Sequence, residues 1–332
     1  MADSKITALA ANTTPASTDL TVIVDDPGGT PATQKMTVDT LDDYLSASSK
    51  TLTNKTLTTP VINGLITGTF GGYYNSVSSQ AIINGGFTVN QRGYVSSATL
   101  ASGSYGHDRW KAGAGGGDYT FTQLASSTQI TIESSKTLIQ VIEDKNVVGG
   151  TYTLSWTGTA QARAGVDSAT PSGGYADSPL TISAQTAGTV MSVEFDDGTL
   201  GQVQLNSGSV ALPFQPKSYA QELADCKRHA NKIISATAYG MFGTGWAEST
   251  TLGQFAIPTG VTMRAKPTIT TSGSFRVLNA GAIDVASFNL IDYSSNHAQI
   301  RTTVAGGQAA GECLILQNKN DVTAYILLDS EL

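Results

Sequence analysis

The chain has 332 residues, of which 14% are charged and 40% are hydrophobic, and its formal net charge is −7. This length suffices for two or three domains, and the low charge content favours extended β structure with many turns, because Gly, Ser, Thr, Ala and Asn fill the difference. The negative charge argues against nucleic acid as a partner, since phosphates require a basic patch.

The termini and cysteines give further expectations. The start, MADSKITALAANTT, has neither a basic region nor an apolar region of a signal peptide, so we expect synthesis in a cytoplasm without secretion. No run of 18 apolar residues occurs, so we expect no membrane insertion. Cys226 and Cys313 are far apart and fit neither a disulfide framework nor zinc spacing, which predicts two free thiols.

Residues 1–49 predict a small unit that cannot fold well alone. We expect strands at Leu20–Val24 and Lys35–Val38 around an Asp-Pro-Gly-Gly turn, and then a helix at Asp39–Leu45 capped by Asp39 or Thr40. Its few apolar residues indicate that it needs other copies of the chain or a docking surface.

Residues 50–79 are rich in threonine, and the tripeptide Lys-Thr-Leu occurs at Lys50 and again at Lys55. Two interpretations are open. The segment is either a flexible linker, or a shaft in which three chains wrap together and share a core.

Residues 80–215 predict a β-sandwich, because short alternating strands are separated by Gly and Asn/Asp turns. In TYTLSWTG, for example, Tyr152, Leu154 and Trp156 share one face. The predicted strands are Ala81–Ile83, Tyr119–Gln123, Gln129–Glu133, Ile139–Glu143, Gly150–Thr157, Thr181–Ser183, Met191–Phe195 and Gln202–Leu205.

Residues 216–236 predict one connecting helix, from Tyr219 to about Ala236, with a capping box of Ser218 and Gln221. Apolar side chains recur at intervals of four and three, as in a heptad seam. This seam packs either on its own sandwich or around a threefold axis of three chains. Its residues are Tyr219, Leu223, Cys226, Ala230 and Ile233.

Residues 237–332 predict a second β-sandwich. Gly243–Trp246 and Ser294–His297 are expected to be exposed loops. The predicted strands are Leu252–Ala256, Thr268–Thr270, Phe275–Val277, Ser287–Ile291, Gln299–Val304, Cys313–Gln317 and Ile326–Leu328.

Four blocks in this order resemble a family of virion proteins: NGGFTVNQRG at 84–93, GHDRWKAG at 106–113, TYTLSWTG at 151–158 and SVALPFQPKSYAQELADCKR at 209–228. With their spacing they resemble bacteriophage tail-fibre and related virion appendage proteins that carry a carbohydrate-binding-module-like jelly-roll domain. The segment LTNKTLTTPVI is similar to a recurrent linker of such fibres.

This resemblance implies a homotrimer in the virion. Residues 1–49 would attach to a tail or capsid protein, residues 50–79 would form the linker or shaft, and residues 237–332 would form the distal tip. The chain would bind host cell-surface polysaccharide by multivalent non-covalent contacts. The alternatives are a capsid head-fibre or decoration protein and a polysaccharide depolymerase tailspike.

The titratable residues do not predict catalysis. Carboxylates adjacent in sequence, such as Asp25/Asp26, Asp42/Asp43 and Asp196/Asp197, point apart and make poor acid–base pairs, so we expect no enzyme. Turn chemistry explains the first and last pairs, with a structural Ca²⁺ as the alternative. His107, His229 and His297 fit no metal motif, so we expect no metal site and no cofactor.

Sugar recognition requires exposed aromatic faces for C–H groups and planar polar side chains for hydroxyls. Trp156 is expected in the core, and burial is also the favoured interpretation of Trp110. The candidates are Trp246, Tyr239, Phe242, Asp292, Asn296, His297 and Arg301 in the last segment, and Trp110, Tyr119 and Tyr175 in the sandwich.

Overall fold

A computed structural model describes residues 14–25, 29–30, 32–47, 80–124 and 127–332. The chain divides into two compact units, Met1–Thr69 and Phe70–Leu332. The described parts are mostly β, as predicted. The linker or shaft predicted for residues 50–79 and the turn residues Asp26–Gly28 lie outside the described residues.

The N-terminal unit is a hairpin followed by a helix. Strand β1 (Leu20–Asp25) pairs antiparallel with β2 (Ala32–Thr37), and helix α1 (Val38–Ala47) follows directly. The cap differs from the prediction of Asp39 or Thr40, because the Thr37 hydroxyl accepts the Thr40 N–H at 3.1 Å. Leu20 and Val22 are exposed, which agrees with a unit that has little core of its own.

The sandwich consists of two five-stranded sheets. Its strands are β3 (Lys111–Ala112), β4 (Tyr119–Gln123), β5 (Thr128–Ile132), β6 (Leu138–Ile142), β7 (Gly150–Gly158), β8 (Ala162–Gly165), β9 (Ser172–Ala176), β10 (Leu180–Gln185), β11 (Met191–Phe195) and β12 (Gly198–Ser207). One sheet has the order β10-β7-β12-β5-β4 and the other β3-β6-β11-β8-β9. The antiparallel pairs β5/β12, β6/β11, β7/β10 and β8/β9 are nested within one another, which is the pairing of a jelly roll.

Aromatic rings fill the space between the two sheets. The ring of Trp110 stacks on Phe87 at a centroid distance of 4.8 Å and meets Phe195 edge-on at 5.9 Å, and Trp156 meets Phe195 at 5.2 Å. Trp156 therefore lies in the core, as predicted. The strand predicted at Ala81–Ile83 is wrong: the Ile83 N–H is satisfied by the Gln140 side chain at 2.9 Å rather than by a sheet partner.

The connecting helix is shorter than predicted. Helix α2 (Tyr219–Lys227) begins after Ser218, whose hydroxyl accepts the Gln221 N–H at 3.3 Å, so Ser218 is confirmed as the N-cap residue of the predicted capping box. The chain then turns directly into β13 (Ala230–Ile234). Ala230 and Ile233 therefore cannot continue a helical seam.

The remaining seam residues do not form one stripe towards a threefold axis. Cys226 is fully buried and packs with Ile83 and Val89 of its own chain, and Leu223 packs partly against them. The Tyr219 side chain is 59% exposed. The helix therefore docks on its own sandwich, which is the first of the two interpretations.

The C-terminal module is a closed barrel with a small sheet, and the prediction of a second sandwich is wrong. Its strands after β13 are β14 (Met241–Ala247), β15 (Leu252–Pro258), β16 (Thr268–Ser272), β17 (Phe275–Leu278), β18 (Ala282–Tyr293), β19 (His297–Val304), β20 (Cys313–Asn318) and β21 (Tyr325–Asp329). The six barrel strands have the order β14-β15-β19-β18-β17-β20, and the barrel closes because β20 also pairs with β14. The small sheet has the order β13-β21-β16.

A buried ionic cluster joins the small sheet to the sandwich. The carboxylate of Glu331, two residues after the end of β21, pairs with Arg109 and, at 3.3 Å, with Arg92. The side chains of Arg109 and Glu331 are only 2% and 4% exposed. Tyr105 donates to the main-chain oxygen of Leu332 at 2.5 Å. The block GHDRW therefore contributes a structural joint between the two modules.

Candidate functional site

Trp246 is the one tryptophan of this chain on the protein surface. Side chains of β14 alternate across the barrel wall, so that Ala247 points into the core while Trp246 points outwards. The Trp246 side chain is 45% exposed, compared with 0% for Trp110 and 7% for Trp156. An exposed indole face on a rigid strand suits contact with an apolar ligand surface.

A depression beside this indole has a volume of about 240 Å³. On β15, Ala256 faces outwards with a side chain too small to fill the space. A register shift between Leu290 and Asp292 in β18 brings Asp292 opposite Gln299 of β19. We call this the Trp246 depression. It is lined by Trp246, Ala256, Asp292, Tyr293, Ser294, His297, Ala298 and Gln299.

Hydrogen bonds along the barrel surface hold the polar side chains near the depression in place. The Gln299 amide donates to the Gln254 side-chain oxygen at 2.5 Å, and the Gln254 amide donates to Glu248 at 2.9 Å. Glu248 in turn pairs with Arg301 at 2.8 Å. Because this bond uses one N–H of the Gln299 amide, the second N–H and the carbonyl oxygen are left to contact a ligand hydroxyl.

Three predicted residues meet in the Trp246 depression, and two lie next to it. Trp246, Asp292 and His297, which were predicted as candidates for sugar binding, line the depression. Arg301 is the next residue after Gln299 on the outward face of β19, and its guanidinium pairs with Glu248. Asn296 lies in the turn between β18 and β19, where its carbonyl accepts the Thr259 N–H at 2.9 Å.

Three predicted binding residues are buried instead. Trp110 and Tyr119 are 0% exposed and Phe242 is 5% exposed, so none of these rings presents a face to a sugar. Tyr119 donates to or accepts from His107 at 2.7 Å, and burial raises the pKa of Tyr119 and lowers that of His107 to about 4. Trp110 and Tyr119 are needed to fill the core of the sandwich, whereas Phe242 packs against Phe275 in the barrel core at a centroid distance of 5.2 Å.

Tyr239 and Tyr175 are partly exposed but lie elsewhere. Tyr239 borders a second depression of about 510 Å³, with the Arg276 guanidinium 4.2 Å from its ring centroid. Tyr175 lies on β9, with the Arg163 guanidinium 4.7 Å from its ring. Neither ring shares the Trp246 depression.

Sequence reasoning missed Gln299, Ala256, Tyr293 and Ser294, and it assigned Gly243–Trp246 to a loop although these residues belong to β14. A signal for Gln299 was present in HAQIR, where His297, Gln299 and Arg301 recur with period two on the outward face of β19.

The arrangement is suited to binding. Asp292 is the one carboxylate among the described residues that line the Trp246 depression. Across the described part of the chain, no group of three His, Cys, Asp or Glu side chains is placed to hold a metal ion. Asp196 lies between β11 and β12, and its carboxylate accepts the N–H of Gln161, directly before β8, at 2.6 Å. No helix in the described ranges has the length and apolar character to cross a membrane.

The chain matches no protein-family model, and no curated protein is significantly similar to it.

Proposed function

We propose that this chain is a structural subunit of a bacteriophage fibre, without catalytic activity, that binds host cell-surface glycan at the Trp246 depression. The observation that carries the binding site is the exposed indole of Trp246 beside outward-facing Asp292, His297 and Gln299. The fibre assignment is supported by the resemblance of the four sequence blocks, two of which build the sandwich core and the joint.

The physical basis of binding follows from the two kinds of surface in the depression. The C–H face of a pyranose ring is apolar and lies flat on an indole, which removes apolar area from water. The carboxylate of Asp292 and the carbonyl oxygen of Gln299 accept hydrogen bonds from sugar hydroxyls. A shallow site of about 240 Å³ covers one or two sugar rings and gives weak affinity for a single copy.

Multivalency turns such weak sites into firm adhesion. In the proposed homotrimer, residues 1–49 attach to a virion tail or capsid protein and three barrels present three Trp246 depressions. Linked sites raise overall affinity by about 10²–10⁴ without any new contact. The exposed Leu20 and Val22 of β1 give the N-terminal unit an apolar face for this attachment.

The function is tested by binding to host cells and to purified host-surface polysaccharide. Trp246→Ala should remove most binding, whereas Met241→Ala, a matched change of an exposed apolar residue on the same strand, should leave it intact. Equal binding by both variants would overturn the site. Light scattering should give about 103 kDa, three times the 34.4 kDa chain, and a folded monomer would overturn the trimer.

A further inference from the structure

A further cavity lies between helix α2 and the sandwich, and it shares no lining residue with the Trp246 depression. We call it the α2 cleft, and its volume is about 420 Å³. Side chains of α2 and of the segment before it line the cleft, together with residues of the short 3₁₀ turn Asp144–Asn146 and Val148. Cavities of this size accommodate small organic ligands such as a monosaccharide.

The walls of the α2 cleft carry more positive than negative charge, although the chain as a whole is acidic. Lys145, Lys217 and Arg228 line it, and Asp225 is the one acidic residue among its described lining residues. Arg228 is committed to Glu143, with hydrogen bonds of 2.7 and 3.2 Å. The ammonium of Lys145, and the N–H donors of Lys217 that its pairing with Asp225 leaves unused, are therefore the groups available for a ligand.

Lys217 is an unusual lysine because its side chain is only 9% exposed. Its ammonium carries three N–H donors, yet Asp225, at 2.8 Å, is its one hydrogen-bond acceptor among the described residues. Lys145, which the 3₁₀ turn contributes to the lining, is exposed, and no described side chain pairs with its ammonium. A mostly buried ammonium with unspent donors on a cavity wall favours an anionic ligand.

The rest of the lining suits a sugar ring better than a small inorganic ion. Asn146 and Gln221 offer planar amides that both donate and accept hydrogen bonds, as hydroxyl groups require. Val148 is 70% exposed and gives an apolar surface for the C–H face of a ring. The volume also exceeds what a phosphate or acetate ion fills.

We propose that the α2 cleft binds an acidic saccharide, with the carboxylate of a hexuronate held between Lys145 and Lys217 and its hydroxyls on Asn146 and Gln221. The saccharide assignment rests on the proposed glycan-binding function, whereas the preference for a carboxylate rests on the two lysines alone. This site is separate from the Trp246 depression, so each fibre chain presents one site for a sugar face and another for an acidic residue of the glycan.

Saturation-transfer NMR on the full chain tests the proposal with methyl β-glucuronoside, methyl β-glucoside and acetate as observed probes, and with inorganic phosphate as a competitor of the glucuronoside, since phosphate has no carbon-bound proton to observe. We expect the glucuronoside to bind more tightly than the other three. Lys145→Gln should weaken its binding about fivefold, and the double variant with Lys217→Met about tenfold or more. Lys266→Gln, a matched loss of an exposed lysine charge on the barrel side, should have no effect.

The outcomes separate this proposal from the proposed function. No glucuronoside binding, or binding that neither lysine substitution weakens, would overturn the α2 cleft. Acetate or phosphate binding as tightly as the glucuronoside would overturn the saccharide assignment. If Trp246→Ala abolishes the binding of the glucuronoside, the glucuronoside binds at the Trp246 depression and not in the α2 cleft. If Trp246→Ala leaves the binding of host polysaccharide unchanged but the lysine substitutions still weaken the binding of the glucuronoside, the proposed function is wrong and the proposal for the α2 cleft is supported.

Discussion

The ionic joint between the two modules gives the sharpest prediction about stability. Glu331→Gln keeps the shape of the side chain but removes the charge that neutralises Arg109, which is 2% exposed. Arg92 retains Asp329 at 3.0 Å, whereas Arg109 keeps only neutral acceptors such as the Val141 carbonyl. Removing one partner of a buried ion pair lowers the free energy of unfolding by about 3–5 kcal/mol, because the remaining charge is left without a partner in a site that excludes water.

Thermal unfolding measured by calorimetry should show this loss as a decrease in Tm of about 6–15 °C. The double variant Glu331→Gln with Arg109→Met should recover most of the stability, because no buried charge is then left unpaired. Asp284→Asn, which breaks the exposed pair with Lys319, is the matched control and should change stability by less than about 0.5 kcal/mol. A loss below about 1 kcal/mol for Glu331→Gln would refute the view that this cluster is dry and holds the modules together.

Further predictions concern protonation, thiol reactivity and packing. Burial, with the charges of Arg109, Arg228 and Arg264, lowers the pKa of His229 to about 2, so the unfolded chain binds a proton below pH 6.5 while the folded chain does not. The neutral, buried His229 therefore makes the free energy of unfolding decrease as the pH falls. In urea titrations, His229→Leu should reduce the slope of the unfolding free energy against pH by about 1.4 kcal/mol per pH unit between about pH 6 and 4. An unchanged slope would contradict the burial of His229. A maleimide should label the exposed Cys313 of the native protein but not the buried Cys226, as mass spectrometry of digests would show, and two labels would indicate that α2 is not docked. Because Cys313 stands opposite Trp246 in the β14–β20 pair, a bimane on Cys313 should be quenched, and an unquenched label would contradict this register. Gly245→Ala should prevent closure of the barrel, since a Cβ there would lie 1.7 Å from the Gln254 carbonyl oxygen; a variant with unchanged Tm would be inconsistent with that contact.

The strands that sequence reasoning found are those whose pattern is local. Tyr119–Gln123 and Met191–Phe195 were predicted with the bounds that the structure has, because β-branched and aromatic residues mark them. Strand β14 was missed because Gly243 and Gly245 are typical of a loop. Their actual role is to let neighbouring backbones approach closely, which depends on residues far away in the chain.

The end of α2 and the closure of the barrel depended on tertiary contacts. The apolar residues Cys226, Ala230 and Ile233 fit a helical interval, but β13 forms because Ala230–Ile234 pairs with β21 about a hundred residues later. Likewise, the β14–β20 pairing that makes a barrel instead of a sandwich is not visible in either strand alone.

Only part of the lining of the Trp246 depression could be predicted from the sequence. Trp246, Asp292 and His297 were named as candidates because exposed aromatic and planar polar residues are typical of sugar sites, and all three line this depression. Phe242 is four residues before Trp246, so regular alternation would place both side chains on the same face of β14. A register shift between Met241 and Gly243 breaks the alternation, and Phe242 is buried. The Asp292 position depends on a register shift in β18, which the sequence does not reveal.

Tryptophan fluorescence tests the central claim most directly, because Trp246 is exposed while Trp110 and Trp156 are buried. Acrylamide should quench the Trp246 emission of the free protein, and oligosaccharides from the host cell-surface polysaccharide should protect it in proportion to binding. The Trp246→Phe variant should show neither the quenching nor the protection. If those oligosaccharides bind, as measured by calorimetry, and the quenching of Trp246 does not change, the glycan lies elsewhere and the proposed site is wrong.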